Sequence, residues 1–152
     1  MNLVNGKAAH RPIAIWLYIG VFMLVVQIVL GGITRLTESG LSITEWNPIT
    51  GVMPPVGEAA WQAEFDKYKS TSQFQYIHAD FTLADFKEIF FWEWLHRNWA
   101  RLMGVIFIVG FVYFLFTKKI SKPMILPLVL LFFLGAIQGA IGWIMVKSGL
   151  VP

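Results

Sequence analysis

The chain reads as an all-α membrane protein with three transmembrane helices and a partly helical loop between the first and second. Three observations predict this. Hydrophobic residues make up 57% of the 152 and charged residues only 14%, against roughly 25% charged in a soluble domain. Polar surface is therefore too scarce to face water all round, and lipid has to be the solvent. Three apolar stretches each reach the ~20 residues that cross a bilayer. Finally, basic residues gather at Lys7/Arg11 and Lys118/Lys119/Lys122, beside apolar runs, which is how basic residues set orientation in membranes. The excess of 12 Lys and Arg over 9 Asp and Glu is thus a topology signal, and no nucleic-acid surface is expected. Without cysteine there are no disulfides, thiolate ligands or cysteine-held clusters.

The first helix is expected over about 13–33. It is longer than the apolar region of a signal peptide, and Gly31-Gly32-Ile33-Thr34-Arg35 offers no small-residue cleavage site, so it is read as a retained span. Lys7 and Arg11 place the amino terminus inside. The segment Thr34–Glu88 then lies outside, the basic turn Lys118–Lys122 inside, and the carboxyl end outside. The outer loop, 34–82, begins with turn residues (Gly40, Asn47-Pro48, Gly51, Pro54-Pro55) that predict an irregular path. Glu58–Lys69 puts Trp61, Phe65 and Tyr68 at i, i+4 and i+7, one aromatic stripe on a short amphipathic helix. Packing of that stripe on the protein's own helices is favoured over a place on the membrane surface.

Thr82 and Asp85 stand at capping-box spacing, with Asp replacing the usual Glu or Gln, and no Gly or Pro follows until Gly104. The second helix is therefore expected over 83–116, about 50 Å long at 1.5 Å per residue. The third is expected over 124–146. Pro123 suits its first turn and Pro127 predicts a modest kink. Gly135, Gly139 and Gly142 form a smooth stripe for a neighbouring backbone, or for a flat macrocycle. The first and third helices also echo each other. Gln27, Gly31, Arg35 and Ser39-Gly40-Leu41 parallel Gln138, Gly142, Lys147 and Ser148-Gly149-Leu150, as in folds built of repeated helix units.

Ionisable residues near membrane depth are costly and mark candidate sites. The densest cluster is Phe91-Trp92-Glu93-Trp94-Leu95-His96-Arg97-Asn98-Trp99-Ala100-Arg101, in which Glu93, His96, Arg97, Ala100 and Arg101 share a helix face. A neutral imidazole can hold iron, a carboxylate can take a proton or face positive charge, and guanidinium groups pair with carboxylates. A haem, with iron in its plane and two propionates at one edge, suits such a face. An interfacial collar of tryptophans around a Glu93–Arg97 ion pair would look the same. His78 and His10 are expected to be solvated. A di-iron carboxylate site needs two Glu-x-x-His motifs, and one is present.

The stretches GGITRLTESGLSITEWNPITGVMPP, FKEIFFWEWLHRNWARLMG and QGAIGWIMVKSGL resemble the haem A synthase family, in its cysteine-free, long-loop subclass of mitochondria and many Gram-negative bacteria. The resemblance covers most of the chain, in order. It implies oxidation of the C8 methyl of haem O to the formyl of haem A, for terminal oxidases. It also implies eight helices in two halves, a substrate half and a half that relays electrons through haem B. By resemblance, His96 is an axial, iron-holding histidine of the substrate half and Glu93 the acidic residue of catalysis. Arg35, Arg97 and Arg101 are read from their charge as propionate partners. A fourth helix with a second histidine is expected and does not occur here. The chain is therefore expected to be an incomplete four-helix half-bundle, a single membrane domain from a larger eight-helix protein.

The expected partners are the bilayer, haem O, carboxyl-terminal helices or a second chain supplying them, haem O synthase and the terminal oxidase. The expected location is a bacterial inner membrane or the mitochondrial inner membrane. Two other functions stay open, a cytochrome-type haem-carrying subunit without catalysis and an inactive fragment or assembly factor. Glu93 separates the first from an enzyme, since a carrier needs the histidine and not the acid.

Overall fold

The computed structural model describes residues 3–45 and 50–148, and the side chains of 11–45 and 51–148. All regular structure among them is helical: α1 (Leu3–Leu36), a 3-10 turn (Thr50–Val52), α2 (Glu58–Lys69), α3 (Ser72–Tyr76), α4 (Leu83–Phe116) and α5 (Lys122–Ser148). Three helices are long and apolar enough to cross a membrane, Arg11–Leu36, Leu83–Phe116 and Lys122–Ser148. The chain is an all-α membrane protein.

The expected second helix coincides with α4, and the amphipathic segment with α2. The capping box is formed: Asp85 Oδ2 accepts from the Thr82 backbone N–H at 2.8 Å and from its hydroxyl at 2.6 Å. α1 starts earlier than expected and includes Pro12. Apolar length limits the span, whereas helicity continues into a stretch that holds good helix formers such as Lys7, Ala8 and Ala9. α3 and the 3-10 turn were not expected, being too short to show a period. Asn47-Pro48, the Ser-Gly-Leu echo after Lys147 beyond Ser148, and the His10 side chain lie outside the described residues.

The chain forms two compact units, each drawing on several helices. The first comprises 3–28 and 99–138. Its core is Ile13, Trp16, Phe114, Ile120 and Leu128. Trp16 meets Phe107 and Phe114 at ring separations of 5.3 and 5.6 Å, and its ring lies against the bare backbone of Gly110. Each indole N–H needs an acceptor where water is absent, and backbone carbonyls supply them: Trp16 Nε1 donates to Ile106 O at 3.2 Å and Trp99 Nε1 to Met23 O at 2.9 Å. α4 ends with Lys118 in the left-handed region at φ 53°. The N–H groups of Lys118 and Lys119 close on the carbonyls of Leu115 and Phe114, the paired bonds of a Schellman motif.

The second unit comprises 29–98 and 139–148. Here Phe65, Tyr68, Phe86, Ile89 and Phe90 form the core. The α2 stripe packs inward as expected, with Phe65 and Tyr68 buried and Trp61 edge-on to Phe90 at 5.0 Å. α1 ends in the same motif as α4: Glu38 takes φ 52°, its N–H reaches Arg35 O and the Ser39 N–H reaches Thr34 O. Among the described residues no atom lies within 4 Å of where a Cβ would stand at Gly135, Gly139 or Gly142. The close approach expected of that stripe is not made by these residues.

Candidate functional site

α4 carries Glu93, Trp94, Arg97 and Asn98 along one side, and all four reach the loop that follows α1. Glu93 is 3% exposed. Its Oε2 accepts from the Ser42 hydroxyl at 2.6 Å and from the Ile43 N–H at 2.7 Å, while its Oε1 pairs with Arg97 one turn on. Arg97 also donates to Ile43 O at 3.0 Å and Glu45 O at 3.3 Å. Trp94 Nε1 and Asn98 Nδ2 both donate to Val52 O, at 2.9 and 3.3 Å. A buried carboxylate is tolerated only when paired and hydrogen-bonded, and the loop backbone supplies part of that set. Loop and helix thus solve each other's problem: the backbone of Ile43, Glu45 and Val52 gains partners, and the charged pair is satisfied.

His96 is half-buried and stands apart from this network. Among the described residues neither ring nitrogen makes a hydrogen bond, so the imidazole is an uncommitted nitrogen donor. Its Nε2–Cε1 edge lies over Gly31 of α1: a Cβ built there would stand 3.4 Å from Nε2 and 3.9 Å from Cε1. Arg35, in the last turn of α1, is exposed. Arg101 belongs to the first unit. Within the second unit, therefore, the structure joins Glu93 to Arg97 and sets His96 one turn from the acid.

His78 departs from expectation. It is 5% exposed, not solvated. Its Nδ1 lies 2.6 Å from the Tyr68 hydroxyl, its Nε2 3.4 Å from Glu38 Oε2, and its ring stacks on Phe81 at 3.9 Å. Burial, followed by the negative charges of Glu93 and Glu38, pushes the Tyr68 phenol above its ordinary range. Gln73 Nε2 of α3 also donates to Glu38 O at 2.5 Å, so α3 and His78 beyond it both hold Glu38, two residues past the end of α1. Ser42 escaped the sequence reading too. It is one of several hydroxyls in a turn-rich stretch, and only the fold shows which faces the acid.

The sequence matches the cytochrome oxidase assembly protein family over residues 14–152. The chain belongs to that family. Curated relatives include proteins named heme A synthase from Rhodospirillum centenum, 50% identical over 146 residues, and Paracoccus denitrificans, 52% identical over 144. A third, from Flavobacterium psychrophilum, is 47% identical over 144 residues. These alignments cover 96%, 95% and 93% of this chain but 39%, 38% and 42% of the relatives. The chain of this cytochrome oxidase assembly family member thus spans about two fifths of the length of the relatives it matches. No solved structure matches it.

Proposed function

We propose that this chain is the substrate-haem half of a haem A synthase, acting on haem O. The observation that carries the reading is the pairing, on one helix of the second unit, of an uncommitted histidine with a fully hydrogen-bonded, buried carboxylate one turn away. Family membership and relatives named heme A synthase support it. His96 is the axial donor to the substrate iron. Glu93 acts at the methyl carbon, and Arg35, Arg97 and Arg101 are the propionate partners.

The overall chemistry is R–CH3 + H2O → R–CHO + 4 H⁺ + 4 e⁻. The four electrons would pass to an acceptor outside this chain, and a haem B in a carboxyl-terminal half would supply that relay. Two roles for Glu93 were expected, facing positive charge at the oxidised carbon or taking the proton as water adds. Three donors orient the carboxyl group. Facing positive charge leaves those bonds intact, whereas accepting a proton weakens them, so the electrostatic role suits the geometry better. The amino terminus lies inside, the 34–82 loop outside, and the membrane is a bacterial or mitochondrial inner membrane. Haem O synthase and the terminal oxidase are the neighbours in supply and use.

A second reading is a haem carrier without catalysis, in which Glu93 only fastens the loop; its three bonds to loop and helix favour this. Glu93→Gln, in a protein that also carries the helices expected beyond Pro152, separates the two. The expected result is haem O bound as in the parent with haem A formation slowed about 10²–10³-fold, as for loss of one electrostatic stabiliser. His96→Ala should lose both. Conversion at the parent rate by Glu93→Gln would leave Glu93 only as the ion-pair partner of Arg97 that fastens the loop, and a parent protein that binds haem O without forming haem A would leave the carrier reading.

A further inference from the structure

The pair Gly31-Gly32 sits inside α1, where glycine is a poorer helix former than alanine. Only one of the two has a visible reason to be glycine. A Cβ at Gly32 meets nothing within 4 Å, whereas a Cβ at Gly31 meets the Nε2 edge of His96. We propose that Gly31 is the positioning residue for His96: its missing side chain sets where the imidazole's Nε2 stands. This rests on the reading of His96 as an iron ligand.

The backbone at Gly31 cannot simply recede to make room. Gly31 O accepts from the Thr34 hydroxyl at 2.9 Å. Thr34 is itself buried, and its carbonyl accepts from both the N–H and the hydroxyl of Ser39, at 3.0 and 3.2 Å. The last turn of α1 is thus bolted into its Schellman end. His96 has no hydrogen bond to hold it, so a methyl at 31, standing in van der Waals contact with Nε2, restricts the ring and not the helix. Restricting a ligating nitrogen alters metal bonding, because ligands act through their orientation as well as their identity. Gly31 contributes no atom to the iron, so it is a positioning residue and not a catalytic one.

The test uses the protein with its carboxyl-terminal helices, purified in detergent and loaded with haem O. Absorption and electron paramagnetic resonance spectra report axial ligation, and haem retention on dilution reports affinity. Alanine is the better helix former, so Gly31→Ala should fold, and Gly31→Ser checks it with a side chain of similar bulk. Both should alter the ligand-field spectrum and weaken retention by about 10-fold, the range seen for residues that orient a metal ligand. Gly32→Ala should match the parent in both. If Gly31→Ala and Gly31→Ser keep the parent spectrum and retention while His96→Ala loses them, this inference fails and His96 remains the ligand. If His96→Ala also keeps them, the ligand reading itself fails and the inference with it.

Discussion

The two units share helices yet are held together by different physics. In 3–28 and 99–138 the buried side chains are apolar, and the long-range hydrogen bonds at the core come from two indoles to backbone carbonyls. In 29–98 and 139–148 an aromatic core is joined by Thr34, Ser39, Ser42, His78 and Glu93, the buried polar residues among those described. Apolar packing tolerates exchange of one side chain for another of like volume. A buried polar network does not, because each lost partner strands another group. The first unit therefore behaves as a scaffold, and the second as the part whose individual atoms matter.

Glu93→Ala is the strongest way to break this contrast. It strands the Arg97 guanidinium, the Ser42 hydroxyl and the Ile43 N–H together, and removing one partner of a buried pair costs about 3–5 kcal/mol. Thermal unfolding in detergent should fall steeply, and a protease should cut the 37–57 region sooner. Glu93→Gln should cost much less, since its amide oxygen still accepts. Equal loss in both variants would mean that shape and not charge holds the loop.

A smaller effect is expected in the first unit. Gly110→Ala puts a methyl into the Trp16 ring, forcing it off Ile106 O, at about 1–3 kcal/mol for an overpacked core. Gly104, where a Cβ meets nothing within 4 Å, is the control and should tolerate alanine. Tryptophan fluorescence should report the change at 110, while the protease resistance of the 37–57 loop stays at the parent level. Loss of that resistance would show that the units are not energetically separate.

The smallest effect is at Tyr68→Phe, which removes the hydrogen bonds of the hydroxyl to His78 and Gln73, each worth about 1 kcal/mol. Its pH dependence is diagnostic. The folded protein keeps the Tyr68 proton to higher pH than the unfolded chain does, because burial and the nearby acids raise it. The associated stability is complete below a pH of about 10 and is lost as pH rises further. Hydrogen exchange or unfolding followed above that pH should show a shallower decline in Tyr68→Phe than in the parent. Identical declines would place the phenol in water.

What could be read from the chain follows the same division. α4 was legible at both ends because its start is coded locally by Thr82 and Asp85 and nothing in its first five turns breaks a helix. The spans were legible because hydropathy is additive along the chain. The Glu93–Arg97 pair follows from spacing alone. Its loop partners do not: Ser42 and Ile43 lie some fifty residues away, and no local rule tells which of Thr37, Ser39, Ser42 and Thr44 will face an acid on α4. His78 was misjudged for the same reason. Its burial depends on Tyr68 and Glu38 arriving from two other segments, whereas a histidine beside Ala79-Asp80 looks locally like one in water.

The bonds from α4 to the loop also order events during synthesis. Ser42, Ile43, Glu45 and Val52 leave the ribosome some forty to fifty residues ahead of Glu93, Trp94, Arg97 and Asn98, to which they bind. Until α4 emerges, that stretch has water as its only alternative, and chains made at roughly 5–20 residues per second leave it waiting for seconds. The loop is thus a late-setting clasp, shut by the insertion of the next helix. A nascent chain stalled before Glu93 should keep it open to protease, and one stalled beyond Phe116 should not.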